Sequence, residues 1–109
     1  QINVLVGFNE WSTLGVGMAI KELGLKERVC AIGFDNNTEC VGMLETGELD
    51  TLIVQNPFSM GYLAVMNAAN ILSGKKTESV IKTDVYVVDR SNMFSADVQK
   101  ILFGFDKYD

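Results

Sequence analysis

Val4-Leu5-Val6-Gly7-Phe8-Asn9-Glu10, followed after an amphipathic stretch by Ala31-Ile32-Gly33-Phe34-Asp35, is the part of the sequence whose reading decides the fold. Ile2 to Val6 is apolar at four of five positions, the composition of a strand buried on both faces. From Glu10 to Leu23, Leu14, Met18 and then Ile20 or Leu23 recur near helical spacing, and Gly24 supplies a stop. A second strand fits Arg28 to Gly33. Short β-branched runs alternating with amphipathic segments predict helices covering a mostly parallel sheet, an α/β chain.

The same alternation continues downstream. A second helix fits Asn37 to Glu45, with Thr46-Gly47 ending it, and Thr51 to Gln55 reads as a third strand. Asn56-Pro57 breaks the pattern before a longer helix from Ser59 to Leu72, whose stripe of Met60, Leu63, Ala64, Ala68, Ile71 and Leu72 closes at Ser73-Gly74. Gly74 to Ser79 is polar, and a fourth strand is predicted over Val80 to Val88. Asn92 to Asp109 reads as a tail with one short helix near Ala96 to Leu102. Neither an internal repeat nor a low-complexity segment interrupts the chain.

Length and composition bound what such a chain does. With 109 residues, 48% hydrophobic and 21% charged, it holds one modest domain or part of a larger one, but not two independent cores. A single proline argues against disorder, and no apolar run approaches the roughly 18 residues a membrane helix needs. The chain starts at Gln1 without a methionine, as a processed chain or a fragment does. Nine basic against fourteen acidic residues, with no basic cluster longer than Lys75-Lys76, disfavour nucleic acid as a partner. Histidine is absent, which removes histidine triads, imidazole bases and histidine metal sites. Cys30 and Cys40 are too few for a zinc cage; they fit two free buried thiols or a disulfide. No metal or cofactor is expected.

Ligands of open α/β sheets gather at the carboxyl ends of strands. Three predicted ends carry polar residues beside aromatics: Gly7-Phe8-Asn9, Gly33-Phe34-Asp35 and Val54-Gln55-Asn56. Amides and one carboxylate suit a polyhydroxylated ligand, since their oxygens accept from hydroxyls and amide NH2 groups donate to them. Phe8, Trp11, Phe34 or Phe58 would cover the apolar CH face of such a ligand. Each residue also has a plainer role. Asn9 fits a helix cap, Asp35 a turn or cap with Asn36 and Asn37, Gln55 a solvated strand end, and Phe8 and Phe34 a core. The coincidence at three strand ends favours a site.

Other chemistry finds little support. Gly15-Val16-Gly17 resembles the start of a dinucleotide fingerprint, but Ile20 stands where its third glycine belongs, and the glycines fall inside a helix. Asp35 as a phospho-accepting aspartate lacks the paired acids and the later strand-end lysine of a receiver domain. Ser12, Ser59 and Ser91 have no histidine partner and no nucleophile-elbow pattern. The chain is not expected to be an enzyme.

The runs Val4 to Glu10, Ala31 to Asp35 and Ile53-Val54-Gln55-Asn56-Pro57-Phe58-Ser59-Met60-Gly61-Tyr62 resemble the C-terminal half of type I periplasmic sugar-binding proteins, closest to the ribose- and galactose-binding solute receptors of ABC importers. Asp89-Arg90-Ser91-Asn92-Met93 and the ending Gln99 to Phe105 are similar to the tails of such proteins from Gram-positive bacteria. The resemblance implies a three-layer, flavodoxin-like lobe with a mostly parallel sheet, here an incomplete fragment. It makes Asn9, Asp35 and Gln55 hydrogen-bonding residues for sugar hydroxyls, with Phe34 lining the pocket and Trp11 as a further candidate.

Carried further, the resemblance places residues 1–55 in the second lobe. Residues 56–82 form a hinge crossing and a helix of the first lobe, and 83–109 the return strand and tail of the second. A monosaccharide or related polyol is the expected ligand and an ABC permease the expected partner, with the protein periplasmic or extracellular, as a membrane-anchored lipoprotein in a Gram-positive bacterium. The missing lobe leaves one face of the Ser59 to Leu72 helix without a partner, for which a second copy is a candidate. The alternative is the effector-binding core of a LacI-family transcriptional regulator, which shares the Gly-Phe-Asp segment and would carry a DNA-binding headpiece upstream.

Overall fold

The computed structural model describes residues 1–104, so the last part of the expected tail, residues 105–109, lies outside the described residues. Its elements run β1 (Val4–Val6), α1 (Glu10–Glu22), β2 (Cys30–Phe34), α2 (Thr38–Thr46), β3 (Thr51–Gln55), α3 (Pro57–Leu72), β4 (Val85–Asp89) and α4 (Ala96–Phe103). Two compact units result, one formed by residues 1–54 with the described residues from Tyr86 onward, the other by Gln55–Val85.

In the first unit the strands stand in the order β1-β2-β3-β4. β1 pairs parallel with β2 (Val4 opposite Cys30), and β2 parallel with β3 (Phe34 opposite Ile53). β4 leads directly into Arg90, whose guanidinium reaches Leu49 O and Asp50 just ahead of β3. It therefore runs against the other three, giving the mixed, mostly parallel sheet. One face of the sheet is sealed. Ala31, Leu52, Val54 and Val88 join Ile20 of α1, Cys40, Val41 and Leu44 of α2 and Leu102 of α4 in a single core. The other face is open: Val4, Val6 and Val87 are 52%, 39% and 61% exposed. The unit thus supplies the sheet and one helical layer of the three expected.

The first unit corrects three expectations. β1 is not buried on both faces; it is a three-residue edge strand with only Leu5 packed on the core, because edge position and the missing second helical layer leave Val4 and Val6 in water. The fourth strand starts at Val85 rather than Val80, since β3 offers only five residues of ladder. Both cysteines are free, but only Cys40 is buried, and Cys30 at the start of β2 faces the open side.

The second unit is one helix and a strap. Asn56 caps α3, its side chain accepting from Ser59 N, and Pro57 stands in the first turn, where its missing N–H costs nothing. The proline that reads as a break therefore opens the helix two residues earlier than expected. None of the 16 residues of α3 is buried. One side, with Met60, Leu63, Asn67 and Ile71, meets Ile81 and Thr83 of the strap around a concavity of about 350 Å³. Phe58 and Tyr62 stack with their rings 6.5 Å apart.

Candidate functional site

β1 ends at Val6, and the chain turns through Gly7 and Phe8 into α1. Asn9 caps that helix: its Oδ1 accepts from Ser12 N at 2.9 Å, while Ser12 Oγ accepts from Asn9 N at 3.1 Å. The plainer reading of Asn9 is correct, yet it leaves the residue exposed with its Nδ2 donors unused among the described residues. Trp11, in the first turn of α1, is 73% exposed. The ring of Phe8, 77% exposed, stacks on half-buried Phe34 with centroids 6.2 Å apart. Two aromatics thus line the ends of β1 and β2, and only one is partly inside.

Asp35, directly after β2, has φ of +72°, the only positive φ outside glycine among the described residues. A carboxylate-bearing residue in this left-handed region is held there by its neighbours. Asp35 N donates to Ile53 O at 2.9 Å, Asn36 Nδ2 donates to Leu102 O at 2.6 Å, and Asn37 Nδ2 donates to Glu10 Oε1 at 2.8 Å. Asn37 also caps α2 through Glu39 N and Cys40 N. The half-buried Asp35 is therefore presented on a backbone tied to β3, α4 and α1 in turn. Burial first, then the nearby carboxylates of Glu10, Glu39 and Asp35, push the Cys40 thiol up.

Asn9, Trp11, Phe34 and Asp35 thus share the carboxyl end of the paired strands in the first unit. Gln55, the last residue of β3, holds the equivalent strand-end position and begins the second unit. Sequence reasoning placed Asn37 here as a turn or cap residue, and the structure shows it as the cap of α2, but it missed Thr13 and Glu10 as parts of this end. The signal for Thr13 was its place one helical turn beyond Asn9, facing Gly7 and Gly33. A Cβ on Gly33 would lie 2.1 Å from Thr13 Cγ2, and one on Gly7 2.5 Å from Thr13 N. Among the described residues no cluster of carboxylates and cysteines is arranged to hold a metal, and no helix is long and apolar enough to cross a membrane.

The opposite end of the sheet is built differently. Glu48, 4% exposed, pairs with Lys26 at 2.8 Å and accepts from Thr46 Oγ1. These two hydrogen bonds, Lys26 first, bring its carboxyl down to about 2. Asp50 accepts from Ala31 N at 2.8 Å and faces Arg90 at 3.4 Å. Lys26, Glu48, Asp50 and Arg90 thus each have a protein partner there.

A mostly parallel sheet with capped helices, and with an aromatic pair and an aspartate of positive φ at its strand ends, defines an α/β lobe of the class whose strand ends receive ligands. Residues 1–76 match the model of a periplasmic binding protein domain, and the chain belongs to that family. It is 30% identical over 88 residues to the ribose import binding protein of Haemophilus influenzae, and 31% over 81 residues to that of Bacillus subtilis. These alignments cover 81% and 74% of the chain but only 30% and 26% of the relatives. Among solved structures it resembles a carbohydrate transporter solute-binding protein of Agrobacterium radiobacter in complex with D-arabinose. That match has a TM-score of 0.82 and 32% identity, covering 93% of this chain and 34% of the other. An ABC transporter solute-binding protein of Agrobacterium vitis with bound D-fucose aligns with a TM-score of 0.80 and 33% identity, covering 93% and 35%.

Proposed function

We propose that the chain is the ligand-contacting portion of a monosaccharide receptor that serves an ABC importer, and that it binds without catalysing. The observation that carries this reading is Asp35, held at positive φ at the end of β2, directly after the Phe34 that stacks on Phe8. An acceptor carboxylate suits a neutral polyol, whose hydroxyls donate, better than a phosphate or carboxylate ligand, which it would repel. Asn9, Phe34, Asp35, Gln55 and Trp11 are the proposed contacts. The arabinose- and fucose-bound relatives support a monosaccharide, and the ribose import relatives support delivery to a permease.

In this reading residues 1–55 and 83–109 belong to the receptor's second lobe and 56–82 to the first. The open sheet face with Val4, Val6 and Val87 and the unburied α3 are then covered by the rest of a receptor roughly three times longer, as the 30% coverage of the ribose relative suggests. The protein works outside the cytoplasmic membrane, anchored as a lipoprotein. Alone, the chain is expected to self-associate or to bind an apolar dye through these faces; a dye-silent monomer in light scattering counts against their being interfaces. The binding reading is tested by a thermal-shift panel of pentoses, hexoses and polyols on the receptor containing this chain. A raised midpoint with one sugar is the expected result, and a flat panel removes the reading.

A further inference from the structure

On the β1 side of β2, the rung at Phe34 has no strand to complete it. The β1–β2 ladder runs to Gly7 N, which donates to Ile32 O at 2.9 Å, and the chain then leaves the sheet for α1. The N–H and C=O of Phe34, which face that side, would be left unpaired. Thr13, fully buried in α1, occupies the vacancy. Its Oγ1 accepts from Phe34 N at 2.9 Å and lies 3.3 Å from Phe34 O and 3.4 Å from Gly7 O, so that its single proton donates to one carbonyl or the other. Its methyl fills the space where a Cβ on Gly33 would stand, 2.1 Å away.

We propose that Thr13 is a positioning residue for the ligand site: its hydroxyl substitutes for a missing strand rung, fixes the Phe34 backbone and so holds Asp35 in the left-handed conformation that presents its carboxylate. This rests on the sugar-site reading above. The same hydroxyl ties the end of β1, where Asn9 stands, to the end of β2, where Asp35 stands. Thr13 touches no ligand itself; it sets the geometry between two groups that do. A merely apolar residue of the same volume would fill the core equally well, so the hydroxyl is what the role requires.

The experiment compares Thr13→Val, which keeps the volume and loses the hydroxyl, with Thr13→Ser, which keeps the hydroxyl, and with Asp35→Ala. Two readouts are taken on the receptor containing this chain. One is the amide coupling constant of Asp35 together with hydrogen exchange of the Phe34 amide; the other is calorimetric affinity for D-ribose and D-arabinose. The expected result for Thr13→Val is an Asp35 coupling shifted toward extended values, faster Phe34 exchange and about tenfold weaker binding. Thr13→Ser restores all three toward wild type.

An unchanged Asp35 coupling in Thr13→Val, or equal losses in the Val and Ser variants, overturns the proposal. If Thr13→Val does not fold, Thr13→Ala relieves the packing and reads the same loss of hydroxyl. Failure of the underlying sugar reading is separately visible: wild type and Asp35→Ala would then bind the sugars alike, or not at all, while the coupling constant still decides the role of Thr13.

Discussion

The two ends of the sheet in the first unit spend polar groups in opposite ways. At the ends where β2 and β3 begin, Glu48, Lys26, Asp50 and Arg90 satisfy one another and the backbone around them. At the ends where β1 and β2 finish, the Asn9 NH2 has no partner among the described residues, Phe8 and Trp11 lie open, and Asp35 holds a backbone conformation that costs free energy. One end closes the core. In the proposed reading, the other meets a sugar. Charge and polarity at a strand end do not by themselves mark a site; what sets the second end apart is a backbone held at positive φ beside exposed aromatics.

The comparison can be broken most severely at its support. Gly33→Ala places a Cβ against Thr13 Cγ2 and Oγ1, and it should cost about 3 kcal/mol or more in urea unfolding, since neither the buried threonine nor the strand has room to move. A loss below about 1 kcal/mol would mean that the strand ends are looser than described.

Asp35→Ala should weaken sugar binding by about 1.5 to 3 kcal/mol through loss of charge-assisted hydrogen bonds, with folding intact. Asp35→Gly should lose affinity equally while its melting midpoint holds or rises, because glycine takes a φ of +72° without strain. A site residue and a structural residue part company in that pair of measurements.

At the other end Glu48→Gln should reduce stability by about 1.5 kcal/mol at neutral pH and leave sugar affinity unchanged. The folded-state carboxyl sits at about 2 against an ordinary 4.5, so its contribution is complete above 4.5 and disappears as the pH falls toward 2. Denaturation curves of wild type and variant should therefore converge across that window, and parallel curves would contradict the assignment.

The smallest effect separates the two roles of Asn9. Asn9→Asp keeps an acceptor for Ser12 N and adds negative charge at a helix start, so stability should hold or rise by about 0.5 kcal/mol, while loss of the NH2 donors lowers affinity by about 1 kcal/mol. Unchanged affinity would leave Asn9 as a cap alone.

Much of this was legible in the sequence, for physical reasons that differ by element. Helices α1 and α2 and strand β3 follow from period and punctuation, because Asn9, Asn37 and Gly47 act through local hydrogen bonds and local backbone preference. β1 was misread because five apolar letters cannot say whether a second helical layer is present to cover them. Val80 to Asp84 has strand-like composition but no ladder partner, a matter of the neighbour's length. Pro57 carries both a stop and a start, and only the Asn56 cap decides between them. Asp35 was visible as a residue type at a strand end; its positive φ was not, since that depends on Thr13, Ile53 and Leu102 from distant parts of the chain.

The central claim is that the carboxyl ends of these strands, and not the ion-paired end, receive a sugar. Amide NMR of the receptor containing this chain, titrated with D-ribose and D-arabinose, tests it most directly. The account predicts perturbations concentrated at Asn9, Phe34, Asp35 and Gln55, with Lys26, Glu48 and Arg90 silent. Perturbations centred on the Lys26–Glu48 end, or a sugar-raised melting midpoint with Asp35 unmoved, would contradict it.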